Sequence, residues 1–516
     1  MLSHYIAMFA TTRRQWPKVA AATVVLGAGV YAYDRTHYSV ISRAVRAVST
    51  LSFVAYKYTR CNYADMKEME QVHEQCAELL LQMLQKNKGL FIKIGQAIAN
   101  QGPLFPMAYQ KRFAQLYDAA PADDWKEIEA MLNRVYGTSN WGFTIDSDAV
   151  ALALIAQVYK GHLPTGEAVA VKVQHPLIEY QLHADLWVYQ NILKVYSWVF
   201  GLPFSMFTKY ISLQMVQETD FGREAANGER LLVALTADGF NNRVHVPKVY
   251  PEVSHKQVLV TEWIDGTSLT ETGKISANFN THDVLHTFLD VFGRQIFRYG
   301  FVHCDPHPGN LMVRRTKWGQ QQLVILDHGL YIDLPRDFEQ QYSRLWQYMF
   351  TQDTTHLKEI ALLWGIDSVD IFALLVLLKP TYMTSNPPLT PTQLDDDRDI
   401  QTLLGQFLKD ELKFPLQLIF LTRTMRMMQN MNKQYGLPVN RINVLTRSAV
   451  AGANLGWSQR LRVSFALWVS DIVFLFVRFK QWLLGDLWGR PSLGIEDYME
   501  LFIKNTAKQH GIDFDL

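Results

Sequence analysis

The chain is poor in cysteine, lacks an excess of charge of either sign, and has no long uncharged apolar run. Its three cysteines, Cys61, Cys76 and Cys304, are spread over 516 residues and form no CxxC pair. We therefore expect free thiols, and neither a disulfide framework nor a cysteine-based metal site. Fifty basic residues stand against 49 acidic ones, and the formal net charge is +1. No overall field favours a polyanionic partner, and we predict no binding to nucleic acid.

Acidic residues are absent from the N-terminus, because the first is Asp34. The same segment contains Arg13, Arg14 and Lys18. An acid-free segment with scattered basic residues is typical of a mitochondrial import signal, and we predict a targeting segment at residues 1–18. A secretory signal is the main alternative, but no cysteine framework downstream supports an oxidising destination.

An uncharged run follows from Val19 to Tyr33, and Trp16 and Tyr33 place aromatic residues at its two ends. Aromatic residues at both ends suit the interfaces of a bilayer, and we predict a transmembrane helix at residues 19–35. The run is shorter than the roughly 18 apolar residues of a clear span. A buried helix or a signal-peptide core therefore stays open.

A second apolar stretch runs from Val463 to Phe479 and contains Asp471 and Arg478. Charged residues are costly in lipid, so this pattern does not favour a membrane span. We predict a buried or membrane-surface helix, and an ordinary core helix is the main alternative.

The order of helical and strand-like segments indicates an α+β fold. Apolar residues recur at helical spacing before residue 140, and short alternating runs such as EAVAVKVQH follow. This order predicts a two-lobed protein-kinase-like fold with an N-terminal helical extension and a helical C-terminal tail. The predicted units are a helical extension at 64–140, an N-lobe at 141–265, a C-lobe at 266–378, a linker at 379–399, and a helical C-terminal region at 400–516.

The segment HCDPHPGN places Asn310 five residues after Asp305, which is the spacing of the Asp and Asn in a kinase catalytic loop. Two short apolar runs with a polar turn between them follow, and they predict a hairpin that brings Asp327 beside Asn310. Carboxylate and amide oxygens are ligands that Mg²⁺ prefers, so Asn310 and Asp327 are predicted to bind it. Asp305 would accept or orient the proton of an attacking hydroxyl. A rigid surface turn is the alternative for this segment.

Upstream, the alternating run Val-Ala-Val-Lys places Lys172 on the face of a strand opposite Val169, Val171 and Val173. Lys172 can thus point into a cleft and contact phosphates. Glu218, Asp220 and Glu224 are predicted to lie on one helix. A glutamate on a helix pairs with this lysine in active kinases; Glu224 is the predicted partner, and Glu218 is the second choice. A solvated strand face and a solvated helix face are the alternatives.

Three further positions are predicted to contact the nucleotide. Gln157 lies in the strand AQVYKG, and Glu262 and Trp263 lie where KQVLVTEW would form the hinge between the lobes. Backbone groups of Glu262 and Trp263 are expected to meet an adenine.

Together these motifs resemble the UbiB family of atypical kinases, the aarF-domain-containing group linked to coenzyme Q. The segment KIGQ, from Lys93 to Gln96, is similar to the family's Lys-x-Gly-Gln signature, and ETD, from Glu218 to Asp220, is similar to its Glu-x-Asp motif. The resemblance implies that Lys93 and Gln96 contact Glu218 and Asp220 and cover the pocket where a protein substrate would bind. Small or lipid-like substrates are then expected.

The triplet DHG at Asp327, with VKVQHP and FVHCDPHPGN, is most similar to the mitochondrial branch of this family. That resemblance implies ATP or ADP with Mg²⁺ as cofactors, and membrane lipids, coenzyme Q or its precursors as partners. It also implies a place in the mitochondrial inner membrane with the kinase-like body in the intermembrane space.

The chain departs from the family pattern before the Gln-Val strand, where Leu154 takes the place of an expected serine. No glycine occurs between Thr144 and Lys160, and Leu152 is also bulky. Close approach of backbone N–H groups to phosphate is harder without glycine. An inactive pseudokinase that acts as a lipid-binding scaffold therefore stays open beside an ATPase or small-molecule kinase. A soluble protein kinase is the third hypothesis; it would need an open substrate groove, and the KIGQ extension argues against it.

Overall fold

A computed structural model describes residues 29, 32–34, 39–62, 65–99, 106–118, 123–153, 155–200, 205–351, 353–366, 413–452 and 456–487. The predicted targeting segment, the linker at 379–399, Leu154 and most of the predicted span at 19–35 lie outside these residues. Within the described part, no helix combines the length and the apolar character needed to cross a bilayer.

Four helices form the N-terminal extension: α1 at Val40–Arg60, α2 at Met66–Asn87, α3 at Leu90–Ala99 and α4 at Met107–Phe113. Lys88 and Gly89 both have positive φ, and this backbone break separates α2 from α3. The buried residues Ala77, Leu81 and Phe91 give the extension a core of its own.

The N-lobe begins with helix α5 at Trp125–Tyr136, followed by strands β1 at Thr144–Leu152, β2 at Ala156–His162 and β3 at Ala168–Gln174. Helix α5 packs on one face of the sheet, where Ile128 and Leu132 contact the valines of β3 in one core. Each buried valine contributes roughly 1.5–3 kcal/mol relative to exposure, so this face fixes the orientation of the strand.

Three helices follow β3: α6 at Ile178–Phe200, α7 at Ser205–Glu218 and α8 at Phe221–Ala237. Glu218, Asp220 and Glu224 were predicted on one helix, and this is wrong. Glu218 ends α7, and the Asp220 carboxylate accepts hydrogen bonds from the N–H groups of Gly222 at 3.1 Å and Arg223 at 3.3 Å, which caps α8. An N-capping aspartate has extended backbone, so it interrupts the helical run.

Strand β4 at Val244–His245 precedes β5 at Val258–Glu262. Strand β5 completes the N-lobe sheet, whose four strands are antiparallel in the order β1-β2-β3-β5.

The C-lobe contains helices and two small sheets. Its elements are β6 at Thr267–Ser268, α9 at Thr272–Asn278, α10 at Thr281–Arg294, β7 at Phe301–His303, β8 at Leu311–Arg315, β9 at Gln321–Ile325, β10 at Tyr331–Asp333, α11 at Arg336–Thr351 and α12 at Thr354–Leu363. Strands β8 and β9 form the predicted hairpin, and they lie in a sheet of order β4-β9-β8-β6. Strands β7 and β10 pair with each other.

Three more helices are described after residue 413: α13 at Gln417–Gln434, α14 at Arg441–Gly452 and α15 at Trp457–Gln481. Helices α13 and α14 are part of the C-lobe core, to which they contribute Met428 and Leu445. Helix α15 differs, because only Val463, Leu467 and Phe474 are buried along it. The predicted helix is present, but a fully buried core helix is wrong, because most of its apolar side chains face solvent.

Candidate functional site

Lys172 projects from β3 into the space between the lobes. Val169, Val171 and Val173 are fully buried on the opposite face, as the alternation of the strand predicts. The ammonium group of Lys172 contacts both oxygens of Glu224, at 2.8 and 2.9 Å, and Oδ2 of Asp327 at 2.9 Å. The predicted pairing of Lys172 with Glu224 is therefore present, while its catalytic role stays a prediction.

The three charges of this cluster shift one another's pKa values. Burial would lower the pKa of Lys172, but Asp327 and Glu224 outweigh burial and raise it. Burial would raise the pKa of Asp327, but Lys172 and the N–H of Gly329 lower it. Glu224 is the more buried carboxylate, and burial raises its pKa to about 7. One ammonium thus holds two carboxylates, of which Asp327 is the firmly ionised one.

The β8–β9 hairpin sets Asn310 beside Asp327. Leu311 lies opposite Ile325 in the ladder, and the N–H of Leu326 donates to the carbonyl of Asn310 at 2.9 Å. The next residue in the chain is Asp327, whose side chain is 33% exposed. A partly exposed carboxylate next to a side-chain amide fits the oxygen ligands of Mg²⁺, which keeps several positions for water and phosphate. The described residues contain no cluster of three or more His, Cys, Asp or Glu side chains that could hold a metal alone.

The loop from His303 to Asn310 rests on buried polar side chains. The N–H of Asp305 donates to Nδ1 of His303 at 3.1 Å, and the N–H of His303 donates to Oε1 of Gln295 at 2.8 Å. Burial lowers the pKa of His303, so the ring stays neutral and its Nδ1 accepts. Asn310 reaches the same loop, because its amide donates to the Asp305 carbonyl at 3.4 Å. Asp305 and Asn310 are therefore ordered by one set of hydrogen bonds.

Two cations from distant parts of the chain surround Asp305. Nη2 of Arg423, on α13, lies 2.8 Å from Oδ1 of Asp305. Burial would raise the pKa of Asp305, but Arg423 and Lys93 lower it. Arg423 on a C-terminal helix and Lys93 on the N-terminal extension thus both favour the ionised form of Asp305.

The family motif on α3 meets the motif at the end of α7 through one ion pair. Nζ of Lys93 lies 2.8 Å from Oε2 of Glu218, and Gln214 donates to Oε1 of Glu218 at 2.9 Å. Gln96 donates instead to the carbonyl of Leu116 at 3.1 Å. Asp220 is occupied as the cap of α8. The expected contact is therefore present for Lys93 with Glu218, whereas Asp220 has a local structural role.

Gln157 does not face the nucleotide space, and this prediction is wrong. Val158 lies opposite Lys172 in the β2–β3 ladder, so Val158 shares the face of Lys172 and its neighbour Gln157 has the other face. Gln157 is 1% exposed, donates to the carbonyl of Asp123 at 3.5 Å and accepts from the hydroxyl of Tyr159 at 3.3 Å.

The two residues predicted to contact adenine both have backbone N–H groups that are bonded within the protein. The N–H of Glu262 donates to the Lys248 carbonyl at 2.8 Å, and that of Trp263 donates to the Ala168 carbonyl at 3.2 Å. The Glu262 carboxylate binds His245 at 2.8 Å and Arg314 at 3.1 Å. The N–H groups of both residues are therefore taken by bonds within the protein, and contact of their other backbone groups with an adenine stays a prediction.

The loop between β1 and β2 is tied down by His175. Nε2 of His175 contacts the carbonyl of Ala153 at 2.8 Å, and its backbone N–H donates to the carbonyl of Ile155 at 2.9 Å. Leu152 is 45% exposed at the end of β1. The segment before the Gln-Val strand is thus β-strand up to Leu152, and Ala153 and Ile155 are bonded to His175, which follows the end of β3.

Sequence reasoning missed Arg423 and His175. Arg423 lies among the buried apolar residues of α13, and an arginine at such a position signals a buried partner. Its partner, Asp305, is 118 positions away in the chain, which no local pattern reveals.

A cleft of about 820 Å³ lies elsewhere, between α10, α14 and α15. Its arginines are engaged by carboxylates, since Arg294 pairs with Asp238 and Arg447 with Asp471. The cluster around Lys172 carries the more specific chemistry, so we take it as the functional site.

Comparison with known proteins yields one family. Residues 115–361 match the model of the ABC1 atypical kinase-like domain. An ABC1 family protein of Schizosaccharomyces pombe is 34% identical over 481 residues, which cover 90% of this chain and 89% of the relative. AarF domain-containing protein kinase 1 of Gallus gallus is 25% identical over 508 residues, which cover 91% of this chain and 96% of that protein.

Among solved structures, the complex of Rv3197 with erythromycin from Mycobacterium tuberculosis is similar to this chain, with a TM-score of 0.43 and 20% identity. The matched region covers 72% of this chain and 99% of the Rv3197 chain.

Proposed function

The chain belongs to the ABC1, or UbiB, family of atypical kinase-like proteins, and on that premise we propose that it binds ATP or ADP with Mg²⁺ and acts as an ATPase or a small-molecule or lipid kinase. The observation that carries the proposal is the contact of Lys172 with both Glu224 and Asp327, next to Asn310. This set matches the groups that hold nucleotide phosphates and their metal in kinases.

Each residue has a part that its geometry supports. Asp327 and Asn310 would hold Mg²⁺, which when bound neutralises phosphate charge. Glu224 orients Lys172 toward the phosphates. Asp305, ionised and bound at Oδ1 by Arg423, would accept a hydrogen bond from an attacking hydroxyl or water at Oδ2.

A small or lipid-like acceptor is favoured by the position of α3. Burial would lower the pKa of Lys93, but the charges of Glu218 and then of Asp305 raise it, so Lys93 lies near both carboxylates. A helix so near the catalytic loop narrows the access that a polypeptide acceptor needs. We extend the proposal to membrane lipids, coenzyme Q or its precursors as partners.

The proposed location is the mitochondrial inner membrane, with the kinase-like body in the intermembrane space and a role in coenzyme Q and lipid homeostasis. The acid-free N-terminus and the family resemblance support it. We expect the protein to be protected from added protease in intact mitochondria. It should be digested once the outer membrane alone is opened. This location would be excluded if protease digested the protein in intact mitochondria. It would also be excluded if the protein stayed protected until the inner membrane was lysed.

Thermal unfolding in the presence of Mg-ADP and Mg-ATP tests the site directly. Ligand at about 100 times its dissociation constant stabilises the folded state by roughly 2.7 kcal/mol. We expect the ligand to raise the unfolding temperature of the wild type. It should not raise that of Asp327→Asn, because the amide has no charge to hold the metal. Asp333→Asn, which removes an exposed carboxylate from β10, is the matched control, and the ligand should raise its unfolding temperature as in the wild type. Equal stabilisation of Asp327→Asn would refute the metal assignment.

A pseudokinase is the second candidate, and the β1–β2 region favours it. Strand β1 continues to Leu152, and no glycine lies between residues 144 and 160 to bare backbone N–H groups to phosphate. Rescue of a deletion strain by Asp305→Asn, at normal protein level, would support a scaffold role. Failure of that variant to rescue, together with ADP release by the wild type alone, would support the enzyme.

A further inference from the structure

Helix α15 has an apolar face that no other described element covers. Its buried stripe of Val463, Leu467 and Phe474 packs on the body of the protein. At about 100° per residue, a second apolar set lies on the opposite side, within about 80° of the circumference. Its members are between 46% and 68% exposed, and they are Leu461, Phe465, Trp468, Ile472, Phe476 and Phe479.

The exposed face is long and aromatic. From Leu461 to Phe479 it extends about 27 Å along the helix at 1.5 Å per residue. Trp457, 79% exposed, and Trp482, 51% exposed, lie beyond its two ends. Soluble monomers rarely expose a contiguous apolar surface of this extent, and tryptophan is enriched where protein meets the lipid headgroup region.

The charges of α15 have one sign on its exposed sides. Arg460, Arg462 and Lys480 are exposed near the ends of the helix. Asp471 is the one acidic residue of α15, and it is turned toward α14, where its oxygens contact the amide of Asn443 at 2.6 Å and the guanidinium of Arg447 at 2.5 Å. An apolar face bordered by basic residues is complementary to a surface of anionic lipid.

We propose that α15 lies along an anionic membrane surface, with the Leu461–Phe479 face at the acyl boundary and Arg460, Arg462 and Lys480 at the level of the lipid phosphates. The helix lies in the plane and does not cross the bilayer, because its opposite stripe is packed on the protein. A second copy of the chain is a poorer occupant, since two such faces brought together would also bring their basic borders together. The proposal is independent of nucleotide binding and turnover.

A local fluorescence probe on α15 tests the proposal in the full chain. The native cysteines are all buried, so a single introduced cysteine can be labelled selectively with a polarity-sensitive dye. On Phe465→Cys, we expect a blue shift and brighter emission with vesicles of phosphatidylcholine and phosphatidylglycerol, and little change with phosphatidylcholine alone. A dye on Leu363→Cys, an exposed position of α12 that is 60% exposed, is the matched control and should not respond.

The local readout separates α15 from any membrane binding by the N-terminus, which would not change the environment of residue 465. In the labelled protein, Arg462→Gln and Lys480→Gln should each raise the anionic lipid needed for half of the shift by roughly fivefold. Thermal unfolding checks that each variant is folded.

Three results would overturn the proposal. The first is no shift at residue 465 with anionic vesicles, and the second is an equal shift at residue 363. The third is a shift that appears without lipid and grows with protein concentration, since a second copy would then cover the face.

Discussion

The sharing of Lys172 between two carboxylates has a consequence for pH dependence. Burial raises the pKa of Glu224 to about 7. Below that pH Glu224 carries a proton, and the ion pair of Lys172 is then with Asp327 alone. Above it, ionised Glu224 competes for Lys172, and Asp327 is freed to bind metal. Metal and nucleotide therefore favour the ionised form of Glu224, and binding releases its proton below pH 7.

We expect the affinity for Mg-ADP to rise with pH up to about 7, by as much as tenfold per pH unit, and then to level off. Calorimetric titration between about pH 6 and pH 8 measures it. The variant Glu224→Gln has nothing to ionise at this position and corrects for titration of the nucleotide itself. A wild-type profile that parallels the Glu224→Gln profile would contradict the assignment.

Single residues also show where sequence reasoning succeeds. The five-residue spacing of Asp305 and Asn310 and the alternation around Lys172 depend on local geometry, which the sequence carries directly. The side chain of Gln157 was expected on the nucleotide face of β2, but Val158, one position later, has that face. Successive side chains of a strand point to opposite faces, so an error of one position reverses the prediction. The N–H groups of Glu262 and Trp263 could not be judged, because their acceptors lie on Lys248 and Ala168, in other parts of the chain.

At the scale of elements, the close approach of β1 to β2 makes Gly161 hard to replace. A Cβ added at Gly161 would lie 2.2 Å from the carbonyl oxygen of Thr144, so β1 would have to move. We expect Gly161→Ala to destabilise the protein by roughly 1–3 kcal/mol, measured by urea unfolding.

Gly273→Ala is the matched control for that substitution. A Cβ at Gly273, on α9, meets no atom within 4 Å. Alanine also favours a helix over glycine by up to about 1 kcal/mol, so this variant should be neutral or stabilised. Equal losses in both variants would show that β1 tolerates the shift.

Elements were predicted well where the apolar period was clear, as for the hairpin and the strands AQVYKG, EAVAVKVQH and KQVLVTEW. The break between α7 and α8 was missed because Asp220 fits a helical charge pattern and a capping position equally well in sequence. The exposure of α15 was open, because an apolar helix has the same composition whether it faces a core or lipid.

At the scale of the whole molecule, Asp305 connects three regions of the chain. Lys93 comes from the N-terminal extension and Arg423 from a C-terminal helix, and both lower the pKa of Asp305. Arg423 forms an ion pair with Asp305 itself, whereas Lys93 forms its ion pair with Glu218 and acts on Asp305 through its charge. Removing one partner of a buried ion pair costs roughly 3–5 kcal/mol, because the remaining charge stays buried.

We expect Lys93→Met and Arg423→Met each to lose stability in this range, and the double variant to depart from the sum of the two by about 0.5–3 kcal/mol. A double-mutant cycle in urea unfolding measures this coupling. Arg230→Met breaks the exposed pair with Asp333 and should cost less than about 1 kcal/mol. Additive losses would show that the two cations do not act on a common carboxylate.

The wide separation of these cations also bears on how such a protein can evolve. The matched kinase-like region, residues 115–361, contains Asp305 but neither Lys93 nor Arg423. Recombination that exchanged only that region between relatives would combine Asp305 with flanking charges selected for another protein. We therefore expect the segment from α3 to α13 to be inherited as one unit, and its flanking helices to diverge together with the loop that contains Asp305.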